Sequence, residues 1–147
     1  MKTAICYYSR HHGNTLRVLE AMAEGQDVDL IDVTSRTEAH LEQYDMVGFA
    51  SGIYYSKFHD SVMKFAEQYL PEGRKVFFVY SCGFKRSGYT KAIAETVTAK
   101  RANILGEYGC RGYDTFGPFR LMGGIAKGHP NTAELQKAGE FYRSICR

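Results

Sequence analysis

A chain of 147 residues and 16.6 kDa has the size of one ordinary domain, large enough to bury a core without disulfide or metal staples. Apolar residues make up 44% and charged residues 24%, which excludes a disordered or fibrous chain, and the longest apolar runs, Met46–Ala50 and Val76–Tyr80, fall far short of the ~18 residues of a membrane helix. The formal net charge of +3 comes from Lys and Arg spread along the chain, without the basic patch of a nucleic-acid binder.

Met1-Lys2-Thr3-Ala4-Ile5 passes directly into an expected strand, so no signal peptide is read there. Cys6, Cys82, Cys110 and Cys146 form no CxxC pair and show no metal-ligand spacing. Together these features predict a cytoplasmic protein with reduced thiols.

Lys2–Tyr8 is a short apolar, aromatic-rich run that reads as a buried strand. Asn14–Glu24 follows with Leu16, Leu19 and Ala23, and Val18 and Met22, at helical spacings, and Gly25 stops it. Val28–Val33 alternates apolar with acidic residues as a less buried strand. Thr37–Tyr44 reads as a weak helical or irregular crossover, Met46–Ser51 as a buried strand and Gly52–Phe58 as a turn-rich loop. His59–Leu70 predicts an amphipathic helix with Val62, Phe65, Ala66 and Tyr69 inward, ended by Pro71 and Gly73. Lys75–Ser81 is a strand, Tyr89–Ala102 a helix, Ile104–Tyr113 an extended segment and Thr132–Cys146 the last helix, entered by a turn at His129-Pro130-Asn131.

This alternation of strand and helix means right-handed βαβ units and a parallel sheet covered on both faces. Five strands fit a small doubly wound fold and not a barrel, which needs about 250 residues. Asp114–Asn131 is a long glycine- and proline-bearing stretch, of a length that is usually functional. Its Phe116, Phe119, Leu121, Met122 and Ile125 predict that it packs against the domain.

In open α/β sheets a ligand sits beyond the carboxyl ends of the strands. Three strand ends here carry polar, glycine-bearing loops. The first, Ser9-Arg10-His11-His12-Gly13-Asn14-Thr15, joins hydroxyls, an amide and histidines to a helix N-terminus, where unpaired N–H groups and the helix dipole both favour phosphate; plain capping by Asn14 or Thr15 is the simpler alternative. The second, Ser51-Gly52-Ile53-Tyr54-Tyr55-Ser56-Lys57, and the third, Ser81-Cys82-Gly83-Phe84-Lys85-Arg86-Ser87-Gly88-Tyr89, put aromatic side chains where a planar ligand stacks. Converging on one crevice, they describe a phosphate cradle between two aromatic-bearing walls.

Tyr8-Ser9 through Gly13-Asn14-Thr15 resembles the phosphate loop of the flavodoxins, and Gly52-Ile53-Tyr54-Tyr55 and Cys82-Gly83-Phe84 resemble that family's two flavin-contacting loops. The resemblance covers essentially the whole chain. It implies an α/β, three-layer doubly wound fold with a five-stranded parallel sheet in the order 2-1-3-4-5, FMN as cofactor, and electron transfer as function. Ser9, His12, Gly13, Asn14 and Thr15 would then bind the phosphate, Ile53 and Tyr54 would lie against one side of the flavin, and Gly83 and Phe84 against the other. Backbone groups near Gly52 and Gly83 would meet the ring edge, with Ser51, Tyr55, Ser81, Cys82 and Tyr89 in the same loops.

Three departures from the family pattern stand out. The first loop has one residue more before Gly-Asn-Thr, which leaves open whether His11 or His12 points at the phosphate. The chain contains no Trp, so Tyr54, Tyr55, Phe84 and Tyr89 must supply any stacking. Flavodoxins are characteristically acidic, whereas this chain is basic and carries Lys57, Lys85 and Arg86 in the ring-side loops. Cations there favour the reduced flavin anion and predict a less reducing cofactor, with redox partners that dock through an acidic face.

Other chemistry finds less support. Only three residues separate Cys82 from Arg86, too few for a phosphatase nucleophile loop. Cys82 reads as a neighbouring thiol before a redox-active one. His11-His12 lacks a second cluster of metal ligands, and Asp29, Asp32, Glu38 and Asp45 read as solvated positions. Two alternatives remain: an NAD(P)H- or quinone-dependent FMN reductase, monomeric or dimerised through the Phe116–Ile125 segment, and a flavin-free phosphoryl-binding module.

Overall fold

The computed structural model describes residues 1–10, 13–35, 39–113, 124 and 126–147. Its strands are β1 (Thr3–Tyr8), β2 (Val28–Asp32), β3 (Met46–Tyr54), β4 (Lys57–Phe58), β5 (Lys75–Cys82) and β6 (Asn103–Arg111). The helices are α1 (Asn14–Ala23), α2 (Asp60–Tyr69), α3 (Lys91–Thr98) and α4 (Thr132–Ile145), with one 3-10 turn at Leu41–Gln43. The sheet runs β2-β1-β3-β5-β6, all neighbours parallel, and β4 pairs antiparallel with β3 off this path. With the short β4 set aside, this is the expected 2-1-3-4-5 order.

Strand side chains alternate between two apolar layers. Ala4, Cys6, Val47, Phe49, Val76, Phe78 and Tyr80 pack under α2 and α3 with Val62, Phe65, Ile93 and Val97. Ile5, Met46, Ala50, Phe77 and Val79 pack under α1 and α4 with Val18, Leu19, Met22, Ala138 and Tyr142. Both faces of the central strands are therefore covered, which is why they read as continuous apolar runs in the sequence. A hydrogen bond of 2.8 Å between Tyr142 Oη and Thr3 Oγ1 ties α4 to β1 inside the second layer. Two sheet glycines lie opposite aromatic rings: Gly48 pairs with Phe77 and Gly109 with Tyr80. A Cβ at Gly109 would come within 2.1 Å of the Tyr80 ring.

Two expected boundaries are corrected. β3 does not end at Ser51; it continues to Tyr54 and turns back into β4, so most of the expected Gly52–Phe58 loop is a hairpin. The third helix covers Lys91–Thr98, shorter than Tyr89–Ala102, because Tyr89 and Thr90 lie in the turn before it. The last helix starts behind a capping box, in which Asn131 Oδ1 accepts from the Glu134 N–H at 2.9 Å and Glu134 Oε1 accepts from the Asn131 N–H at 2.8 Å. The expectation that Asp114–Asn131 packs through Phe116, Phe119, Leu121, Met122 and Ile125 lies outside the described residues. So do the positions of His11, His12 and Glu38.

Candidate functional site

The carboxyl ends of β1, β3, β5 and β6 open on one shallow cleft of about 30 Å³, well below the usual volume of an enclosed small-molecule site. Arg10, Asn14, Thr15, Gly52, Ile53, Tyr54, Ser81, Cys82, Gly112 and Tyr113 line it. The position follows from topology. β1 and β3 are neighbours, but the chain leaves β1 for β2 on one side and reaches β3 on the other, so the loops after them diverge and leave a crevice.

On one flank, Gly13 takes a left-handed conformation (φ 65°) as N-cap of α1, a geometry that glycine adopts at little cost. Gly13 has no side chain to cap the helix with. Ser9 Oγ accepts from the Leu16 N–H at 3.1 Å, while the N–H groups of Asn14 and Thr15 have no partner among the described residues. Thr15 Oγ1 shares a buried hydrogen bond of 2.8 Å with Ser81 Oγ, so the first loop is fastened to the end of β5. Asn14 Nδ2 donates to the Tyr113 carbonyl at 2.6 Å. Gly112 fits against that amide, since a Cβ there would lie 2.7 Å from Asn14 Nδ2.

The opposite flank is the β3–β4 hairpin. Tyr55 and Ser56 both have positive φ, 51° and 66°, as a two-residue turn between paired Tyr54 and Lys57 demands. Tyr55 stands 86% exposed at the tip. Tyr54 folds back over Gly52, whose Cβ position would be 3.5 Å from its ring. It also packs edge-on against Tyr8 at 5.7 Å and His59 at 5.1 Å, and these two rings stack on each other at 3.8 Å and 6°. His59 Nδ1 accepts from the Ser61 N–H at 3.1 Å and so caps α2. Burial, with Arg10 nearby, holds the His59 imidazole below its ordinary pKa against the opposing effect of Asp60.

Not every predicted residue lines the cleft. Ser51 is buried and engaged, its hydroxyl donating to the Gly52 carbonyl and accepting from the His59 N–H at 3.0 Å. Gly83 is buried, and its carbonyl accepts from Arg111 Nε at 3.1 Å. Phe84 is 47% exposed beside it. Tyr89 is buried edge-on to Tyr80, with its hydroxyl donating to the Phe84 carbonyl at 2.7 Å. Cys82 reaches the cleft, but its thiol donates to the Cys110 carbonyl at 3.4 Å. None of the four cysteines is in a disulfide, and burial pushes the Cys110 thiol up to about 12.

Arg10, Gly112 and Tyr113 were not among the residues expected in the cleft. Arg10 lay within the first loop and could have been counted for its charge. Gly112 and Tyr113 follow the last strand, and only the sheet order brings them beside Asn14. Of the expected ring-side cations, Lys57 pairs with Asp60 at 3.2 Å on the surface, and Lys85 and Arg86 are exposed.

A family profile described as flavodoxin domain matches residues 4–104 of the chain. The protein belongs to the flavodoxin-domain family. An uncharacterised protein of Methanocaldococcus jannaschii is 37% identical over 149 aligned positions, covering 100% of this chain and 99% of that protein. Among solved structures, a flavodoxin from the domain Archaea superposes with a TM-score of 0.73 at 20% identity, over 99% of this chain and 96% of its own. A Fusobacterium nucleatum flavodoxin variant bound to flavin mononucleotide gives 0.68 at 15%, over 99% and 96%. An NADPH-quinone reductase from P. pentosaceus gives 0.66 at 13%, over 100% and 98%. At these identities the structural likenesses speak for the fold. Among the described residues no helix is long and apolar enough to cross a membrane.

Proposed function

We propose that the protein is a cytoplasmic electron carrier, one flavodoxin-like domain over its 147 residues, that binds FMN in the cleft. The observation that carries this reading is the convergence of two unlike walls. One is the α1 N-terminus, where the N-cap Gly13 offers no side chain and the N–H groups of Asn14 and Thr15 have no partner among the described residues. The other is the aromatic hairpin bearing Ile53 and Tyr54. The first suits a phosphate and the second a flat ring.

In this reading Ser9, Gly13, Asn14, Thr15 and one of His11 and His12 hold the phosphate. The Ser9 hydroxyl accepts one bond from the Leu16 N–H, and in this reading its proton is donated to the ligand. Ile53 and Tyr54 cover one side of the flavin, Gly83 and Phe84 border the other, and backbone groups near Gly52 and Gly83 meet its edge. Ser51, Ser81, Cys82 and Tyr89 hold those loops in place. Bound FMN would supply the electron transfer, and the protein needs no acid or base of its own. Tyr55 and Phe84, exposed among Lys57, Lys85 and Arg86, suit a redox partner with an acidic docking face.

The second reading, an FMN-dependent NAD(P)H or quinone reductase, is favoured by the cationic Arg10 at the cleft, which suits a phosphorylated nicotinamide. The test is an absorbance spectrum after adding FMN and desalting. Retained bands in the near-ultraviolet and blue support FMN binding, and their loss leaves the cleft as a site for another anion. Rapid bleaching of the bound flavin by NADPH alone selects the reductase; bleaching that needs a separate reductase selects the carrier.

A further inference from the structure

Building on the FMN reading, we propose that Arg10 selects the phosphorylated flavin over unphosphorylated riboflavin, by holding a fixed positive charge at the phosphate end of the cleft. Among the described residues that line the cleft it is the one charged side chain. Apart from Asp32, which pairs with Arg10 outside the lining, the other described groups on that flank are neutral: the backbone N–H groups of Asn14 and Thr15, the Asn14 amide, and the hydroxyls of Thr15 and Ser81. Such donors hold an anion, but they hold water as well. A phosphate monoester carries a charge of about −1.5 to −2 near neutral pH, and a cation recognises that charge where a neutral donor recognises only an acceptor.

The guanidinium is already in position. Its Nη1 donates to the Ser9 carbonyl at 2.9 Å and to Asp32 Oδ2 at 3.3 Å, and its Nη2 donates to Thr34 Oγ1 at 2.7 Å. Its Cζ lies 5.2 Å from the centre of the Tyr8 ring. Asp32 is itself held, accepting at Oδ1 from the Thr34 N–H at 2.9 Å and from the Thr34 hydroxyl at 2.7 Å. Burial pushes the Asp32 carboxyl up, but these bonds from Thr34 and those from Arg10 outweigh it and keep the group ionised. A long, flexible side chain is thus fixed before any ligand arrives, so little rotamer entropy is lost on binding.

Its bonds to described residues engage Nη1 twice and Nη2 once among the five N–H donors of the fork. The side chain is 49% exposed, so its charge reaches the cleft and is screened by salt. The competing account is that Arg10 only latches the end of β1 to the end of β2 through Asp32. A latch supports the loop whatever the ligand, and its loss would weaken both flavins equally.

The experiment titrates the flavin-free protein with FMN and with riboflavin, following flavin fluorescence at low and high salt, for wild type, Arg10→Met and Arg10→Lys. The Met variant is expected to weaken FMN by about tenfold or more while riboflavin changes by less than about twofold. The Lys variant is expected to recover part of the FMN loss, and the salt dependence of FMN binding should flatten in the Met variant. Equal losses for the two flavins, or no loss, overturn the assignment and leave the FMN reading standing. A wild type that binds neither flavin overturns both.

Discussion

Thr15 and Ser81 share one buried hydrogen bond of 2.8 Å between the first loop and the end of β5. Ser81 as the donor leaves the Thr15 proton for a ligand. Thr15→Val is therefore expected to weaken FMN by about 1.5–3 kcal/mol, the worth of a hydrogen bond to a charged oxygen, as read by calorimetric titration. The same change leaves the Ser81 hydroxyl without its partner, and Thr15→Val combined with Ser81→Ala should recover stability but not affinity. An unchanged FMN affinity in the single variant would count against the phosphate site. His59 makes a second residue-scale prediction. Its Nδ1 accepts from the Ser61 N–H, so the capping form is the neutral one, with the proton on Nε2. A histidine held below the ordinary value of 6.5 contributes stability that is fully present above that unfolded value and is lost as pH falls through the folded one. Acidification from about pH 7 to pH 5 should therefore destabilise wild type more than His59→Asn, which keeps a good N-cap without titrating. Urea unfolding at the two pH values checks it.

At the scale of elements, the β3–β4 hairpin departs most from local preference. Tyr55 and Ser56 adopt the left-handed region, which asparagine and glycine enter more easily. Strain of this kind persists where the surroundings fix it, and it clusters at working sites. Tyr55→Asn is expected to raise stability by about 0.5–1 kcal/mol, seen as a higher urea midpoint, with FMN affinity preserved and docking to an acidic partner weakened. The sheet offers the opposite case. The Tyr80 ring fills the space over Gly109 and is itself buried against Phe58 and Tyr89, so it has no cheap way to move. Gly109→Ala should cost about 1–3 kcal/mol as overpacking, measured by the same unfolding experiment.

Across the whole molecule, a chain of hydrogen bonds runs behind the cleft. Asn14 donates to the Tyr113 carbonyl, and the Tyr113 N–H donates to the His129 carbonyl. The His129 ring meets Glu134, Glu134 accepts from the Arg111 N–H at 3.2 Å, and the Arg111 side chain donates to the Gly83 carbonyl. It joins the first loop to the third through α4, so the two sides of the site do not move independently. Burial pushes the Glu134 carboxyl up, but the bonds from Asn131, His129 and Arg111 outweigh it and hold it low. Charge acts over the same distances. Lys85 and Arg86 are exposed, so solvent screens them, and Lys85→Glu with Arg86→Glu is expected to make the bound flavin modestly more reducing. Potentiometric titration of both proteins measures the difference, and equal potentials would show that the basic rim serves docking alone.

Much of the fold and part of the site were legible in the amino-acid order. Apolar runs covered on both faces declare a parallel sheet, helical spacings place Val18, Leu19, Val62 and Ile93 inward, and glycine and hydroxyl residues at strand ends mark the loops that meet at the cleft. These are short-range properties, set by side-chain period and backbone preference within a few residues. What only the tertiary structure decided is contact between distant segments. Gly112 and Tyr113 stand beside Asn14 because β6 lies at the sheet edge next to β5. Thr15 finds Ser81 because β1 and β5 flank β3. Ser51 is drawn under the hairpin by the cap of α2, and Arg10 is aimed by Asp32 and Thr34 from the end of β2. No local pattern encodes such pairings, because they arise only when crossovers of many residues close and the strands take their order.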